Sequence, residues 1–181
     1  MGILLAFAPF FVFAVVDRLW GSTQGLVAGA ATSAILVLRD WKRSRGNPKV
    51  LEVGTLILFG GLAVYGALSS GAASIMGVRL RVDAGLLAIV LMTIALRRPF
   101  TLQYARERVP RDRWSSPTFI STNYTITAAW AAAFAVVVAA DALLLFRPDL
   151  PSWIGIAATI LALGGAFKFT EWFPERNSPR P

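Results

Sequence analysis

The sequence predicts an all-α, polytopic membrane protein, a bundle of about six transmembrane helices with both ends on the cytoplasmic side. Three observations predict it. Of 181 residues, 56% are hydrophobic, and a mean hydropathy of +0.61 exceeds what a soluble domain of this size carries. The apolar residues fall in long blocks, as spans of roughly 20 residues across a hydrocarbon core of about 30 Å require. The basic residues lie between those blocks and differ in density from one connection to the next.

One transmembrane domain over residues 1–181 is expected, with spans at about 3–19, 22–38, 51–69, 83–96, 122–146 and 152–170. Met1 runs almost directly into Ile3–Val16 without a basic leader, so the first block reads as a retained span. Pro9 lies inside it and removes a backbone hydrogen bond, which predicts a kink. The second span carries Gly25, Gly29 and Ser33 four residues apart. The sixth carries Ala158, Ala162 and Ala166 in the same way, so both offer faces where helix backbones can approach closely. The two halves echo each other faintly, Leu36–Asp40 against Leu144–Asp149 and Gly60-Gly61 against Gly164-Gly165, as an inverted repeat would.

Orientation follows from charge. The basic connections 39–50 and 97–121 hold Arg39, Lys42, Arg43, Arg45 and Lys49, then Arg97, Arg98, Arg106, Arg108, Arg111 and Arg113. The tail adds Lys168, Arg176 and Arg180, whereas the other connections hold only Arg18, Arg79, Arg81 and Arg147. Lys/Arg bias therefore puts the two basic loops and the tail in the cytoplasm, and an even number of spans brings the N-terminus there too. Trp20, Trp41, Trp114, Trp153 and Trp172 fall at span ends, where amphipathic rings sit at headgroup level, and Trp130 is the exception. The segment Pro99–Trp114 reads either as an interfacial helix on anionic inner-leaflet lipid or as a solvated positive loop. The expected partners are the bilayer with its anionic inner-leaflet lipids, and membrane proteins or a second copy of the chain.

Ionisable groups within spans point to function by default. Asp141 lies five residues before Phe146, about 7.5 Å of helix from that end. Arg18, Arg79 and Arg81 fall on the same outer side and could neutralise it; a pair that locks helix ends is weighed against a protonatable or cation-binding carboxylate. Asp17, Asp83, Glu52 and Glu171 read as boundary charges. Asn123, Thr127 and Trp130, with Phe134, make a polar-aromatic face that serves either helix packing or binding.

The composition excludes much else. With no Cys and no His, thiolate nucleophiles, Cys/His zinc sites, histidine-ligated haem and histidine relays are out of reach. No HExxH, P-loop or dinucleotide fingerprint is present. No enzyme activity, metal or cofactor is expected. The net charge of +8 is dispersed between apolar blocks and forms no single basic face, which argues against nucleic acid.

Phe7-Ala8-Pro9-Phe10-Phe11-Val12-Phe13, Thr55-Leu56-Ile57-Leu58-Phe59-Gly60-Gly61, Arg98-Pro99-Phe100 and Thr127-Ala128-Ala129-Trp130 with Phe134 occur in an order that resembles the bacterial intracellular septation protein A family. The resemblance runs from about residue 7 to 146. Arg98-Pro99-Phe100 stands where that family has Lys-Pro-Leu, and Asp141-Ala142 where it has Asn-Glu. Asn123 departs from the family's aromatic, and the arginine-rich insertion between Pro99 and Asn123 is foreign to it, as in a divergent paralogue. The resemblance implies a multi-pass bacterial inner-membrane protein of the cell envelope, tied to septation and cell division, with no catalytic residues to carry over. A noncatalytic scaffold is the leading expectation; a small-solute or ion transporter with a site near Asp141, or an accessory subunit of a larger complex, are the alternatives.

Overall fold

The structure, a computed structural model, describes residues 2–43, 48–69 and 74–177. Arg45 and Arg180, which enter the orientation argument, lie outside the described residues. Among the described residues every regular element is helical. In chain order these are α1 (Gly2–Ala6), α2 (Ala8–Trp20), α3 (Ser22–Arg43), α4 (Val50–Leu68), α5 (Ile75–Ala95), α6 (Phe100–Arg106), a 3-10 turn at Arg111–Arg113, α7 (Pro117–Phe146) and α8 (Trp153–Asn177).

Three of them, α4, α7 and α8, are long and apolar enough to cross a membrane. The other expected spans are helical, the second as the continuous α3, the first broken and the fourth charged. The first is divided into α1 and α2 at Phe7, so Pro9 stands in the first turn of α2, where its missing N–H costs nothing, instead of inside a continuous helix. α5 starts at Ile75, well before the expected residue 83, and takes Arg79, Arg81 and Asp83 into its first turns. α7 begins at Pro117 and α8 runs past residue 170 to Asn177, both longer than the apolar blocks suggest. Only 11% of the most apolar stretch of α8 is buried, and Ile156, Ile160 and Leu161 stand exposed along it. Hydrocarbon is the solvent that tolerates such a surface.

The chain divides into two compact units, Met1–Ile89 and Val90–Pro181. In the first, α2 packs on α3 and α3 on α4. The centre is Phe59, fully buried, with the rings of Phe10 and Phe13 at 5.1 and 5.6 Å. Gly29 of α3 lies against it so closely that a Cβ there would stand 2.7 Å from the ring. Gly25 faces Asp17 and Phe13 of α2, and Ser33, fully buried, donates to the Gly29 carbonyl at 2.9 Å. The small-residue face of α3 is therefore used inside the unit. α5 joins through Gly85, against Leu58 of α4, and through Val78 and Val82, which enter the same core.

In the second unit α7 and α8 form an antiparallel hairpin. Trp130 meets Thr170 near one end, and Leu144 meets Gly155, where a Cβ would stand 2.6 Å from the leucine methyl, near the other. The connection is closed by Arg147, which donates two hydrogen bonds of 3.0 Å to Asp149. That bond holds the Asp149 carboxyl below its usual range and the Arg147 guanidinium above.

The Arg98-Pro99-Phe100 motif builds a corner. Arg97 has φ 57°, left-handed backbone that glycine usually supplies at a helix end, and the Arg98 amide donates back to the Thr93 carbonyl at 2.9 Å. Pro99 then caps the start of α6, whose Phe100 amide donates to the Thr93 hydroxyl at 3.3 Å.

The echoes between halves differ in their surroundings. Both glycine pairs face open space. Asp40, however, is 2% exposed within α3, whereas Asp149 sits exposed in a loop.

Candidate functional site

The residues of α7 singled out by their chemistry share one stripe. Asn123, Thr127, Trp130, Phe134, Val137, Asp141 and Leu144 recur at alternate intervals of four and three residues, and all are buried. That spacing is the seam of a helix whose neighbours run nearly parallel to it.

Most of its polar groups are engaged in holding helices together. Thr101 of α6 donates to the Asn123 carbonyl at 2.9 Å, and its hydroxyl lies 2.8 Å from that of Thr127. A hydroxyl has one proton, so with Thr101 donating to Asn123 the second bond is donated by Thr127. The Asn123 side chain turns back and donates to the Phe119 carbonyl at 2.8 Å. The Trp130 indole donates to the Thr170 hydroxyl of α8 at 2.9 Å, which donates in turn to the Ala166 carbonyl. Phe134 stacks beside Trp130 at 5.6 Å. Trp20, Trp41, Trp153 and Trp172 are exposed, so Trp130 differs from them in place and in role.

Asp141 is the exception on the stripe. It is 2% exposed, and its Oδ2 is buried without a hydrogen-bond partner. Arg18, Arg79 and Arg81, expected to neutralise it, belong to the first unit, and among the described residues of the second unit the ion pair is that of Arg147 with Asp149, not with Asp141. Arg18 is exposed, Arg79 half-buried, and Arg81 lies over the Tyr65 ring at 5.7 Å. Arg81 also lines a cleft of about 380 Å³. The cleft is also lined by Gln24, Leu26, Leu62, Tyr65 and Val78.

The segment Pro99–Trp114 is folded. Phe100, Thr101, Leu102 and Tyr104 are buried, so the apolar side of α6 packs into protein instead of lying outward on lipid. Arg106 and Arg111 flank the Trp114 ring at 5.4 and 5.6 Å, and the indole donates to the Val109 carbonyl at 2.9 Å. Arg97, Arg98, Arg108 and Arg113 remain exposed.

One polar cluster escaped sequence reasoning. Asp40 at the end of α3, Lys49 and Glu52 in the first turn of α4 are each at most 8% exposed, and the Lys49 ammonium lies 2.5 Å from Asp40 and 3.8 Å from Glu52. In sequence Glu52 reads as a boundary charge and Lys49 as one of the basic loop residues, because they lie close to Arg39, Lys42 and Arg43 in the chain. The available signal was an acid at each lip of a short connection with a lysine three residues before the second. Among the described residues no group of three or more metal-ligating side chains comes together.

Comparison of the chain with family models, curated proteins and solved structures gives no match. The fold itself defines the class: all-helical, with three helices able to cross a membrane and a buried polar stripe on the longest of them.

Proposed function

We propose that the chain is a multi-pass protein of the bacterial inner membrane, crossing six times with both ends in the cytoplasm. It acts without catalysis as a scaffold of the cell envelope, of the septation type its motifs resemble. One observation carries the reading. The residues best suited to a site, Thr127 and Trp130, are bonded to α6 and α8. Several other residues of the resemblance, Pro9, Thr55, Phe59, Phe100 and Phe134, are buried as well. Shared core residues of this kind support a shared way of packing helices, and leave the exposed arginines of 97–113 to meet anionic lipid or an acidic partner.

The test uses the absence of native cysteine. Single cysteines at Trp41, Arg108, Trp153 and Glu175 are labelled from either side of intact cells. The reading requires Trp41, Arg108 and Glu175 inside and Trp153 outside; Trp41 and Arg108 on opposite sides would reject it. Crosslinking at Arg108 to division or elongation proteins then separates a scaffold from a protein that works alone.

A second reading, transport, is favoured by one observation, the unpartnered Asp141 carboxylate oxygen. Uncompensated carboxylates in a span mark ion pathways. Unchanged proton and cation flux in Asp141→Asn proteoliposomes would remove this reading.

A further inference from the structure

The buried charges between α3 and α4 do not balance as they stand. Two carboxyls, Asp40 and Glu52, are each 2% exposed, and the cation buried with them is Lys49, 2.5 Å from Asp40 and at the longer distance of 3.8 Å from Glu52. Arg39 approaches Asp40 at 3.7 Å, but its side chain is 38% exposed and shared with solvent. Among the described residues, Asp40 and Arg39 on α3 and Lys49 in the connection are the charged groups facing Glu52. From α5 the neighbour is Ile89, beside Gly54, which carries no charge.

The Glu52 Oε2 is buried and receives no hydrogen bond, while its Oε1 and the Asp40 carboxylate share the one Lys49 ammonium. Two carboxylates have no proton to donate to each other, so two of them gathered about one ammonium repel unless a proton is held between them. Desolvation acts in the same direction. Burying a second negative charge beside one lysine costs more than their attraction returns.

We propose that Asp40 and Glu52 hold one proton between their carboxyls, forming with Lys49 a proton-dependent clasp that joins the end of α3 to the start of α4. With the proton in place the cluster holds one negative and one positive charge, and the two helix ends stay together. When the proton leaves, two like charges face each other in a dry site and the helix ends part. The clasp therefore makes the contact between these two helix ends depend on the pH of the compartment it faces. This inference does not rest on the scaffold reading and stands or falls separately from it.

The experiment is infrared spectroscopy of the full chain in lipid nanodiscs, read at the carbonyl band of a protonated carboxyl. At neutral pH the band should be present, should persist in Asp141→Asn, and should be lost in both Glu52→Gln and Asp40→Asn, because removing either acid leaves the other paired with Lys49. No band, or a band that disappears only in Asp141→Asn, overturns the proposal. Thiol labelling at Leu51→Cys, a position 0% exposed beside Glu52, reads the clasp itself. The ratio of its labelling rate in the native background to that in the Glu52→Gln background, where the neutral amide mimics the protonated acid, should rise several-fold as pH increases. A flat ratio overturns the clasp. If Glu52→Gln fails to fold by circular dichroism, Asp40→Asn takes its place in both measurements.

Discussion

The two units hold their helices together by different means. The first relies on close approach, with a phenylalanine ring seated on a glycine, further glycines where α2 and α5 meet their neighbours, and one buried ionic cluster. The second relies on hydroxyls and an indole, which reach from α7 to α6 on one side and to α8 on the other. Between membrane helices the hydrophobic effect contributes little, because lipid tails are as apolar as leucine. Backbone proximity and interhelical hydrogen bonds are the two remaining routes, and this chain uses one in each half. The difference teaches that a polar residue in an apolar block has no fixed meaning: Thr127 is glue, whereas Asp40 belongs to a charge balance.

The sharpest way to break this comparison is Lys49→Met. It leaves two buried acids without their cation, and loss of one partner from a buried ion pair typically costs about 3–5 kcal/mol. Denaturant titration in micelles, followed by circular dichroism, should show this loss; a change no larger than that of Thr127→Val would place the cluster among solvated boundary charges. Next come paired glycine substitutions in the first unit. Gly29→Ala drives a methyl into the Phe59 ring, and overpacking of this kind costs about 1–3 kcal/mol. Gly60→Ala meets open space and should stabilise the helix by up to about 1 kcal/mol. Equal effects at the two glycines would mean that close approach does not hold this unit together.

In the second unit the individual effects should be smaller. Thr127→Val removes one hydroxyl, but Thr101 keeps its bond to the Asn123 carbonyl, so a loss of about 1 kcal/mol is expected. The smallest effect belongs to Asp149→Asn. Since its carboxyl is held below the usual range by Arg147, the stabilisation it adds is present at neutral pH and disappears as pH falls through the folded-state value. The pair is exposed, so solvent screening should leave the unfolding curves of the variant and native chains superimposable from neutral pH down to the acid range. A separation on acidification would show that the α7–α8 connection carries more of the hairpin's stability than its exposure allows.

Much of the second unit could be read in the chain beforehand. Asn123, Thr127, Trp130 and Asp141 stand out in an apolar block because polar atoms there are few and need partners. Their partners could not be read. Thr101 is 26 residues from Thr127 and Thr170 is 40 from Trp130, and no local pattern links such positions. The extent of the helices was also obscured. Apolar blocks mark what hydrocarbon can cover, whereas a helix continues as long as its backbone bonds allow, so α5 and α8 run into charged sequence.

What the sequence determined by itself was the helical class, the placement of long apolar helices and the asymmetry of basic charge, because each depends only on composition along the chain. Tertiary structure alone decided that Asp40, Lys49 and Glu52 are buried together, that the Gly29 face receives Phe59, and that Asp141 keeps an unpartnered oxygen. The physical reason is that burial and pairing are properties of neighbours in space, and a charge at the lip of an apolar block looks the same in sequence whether water or another helix covers it.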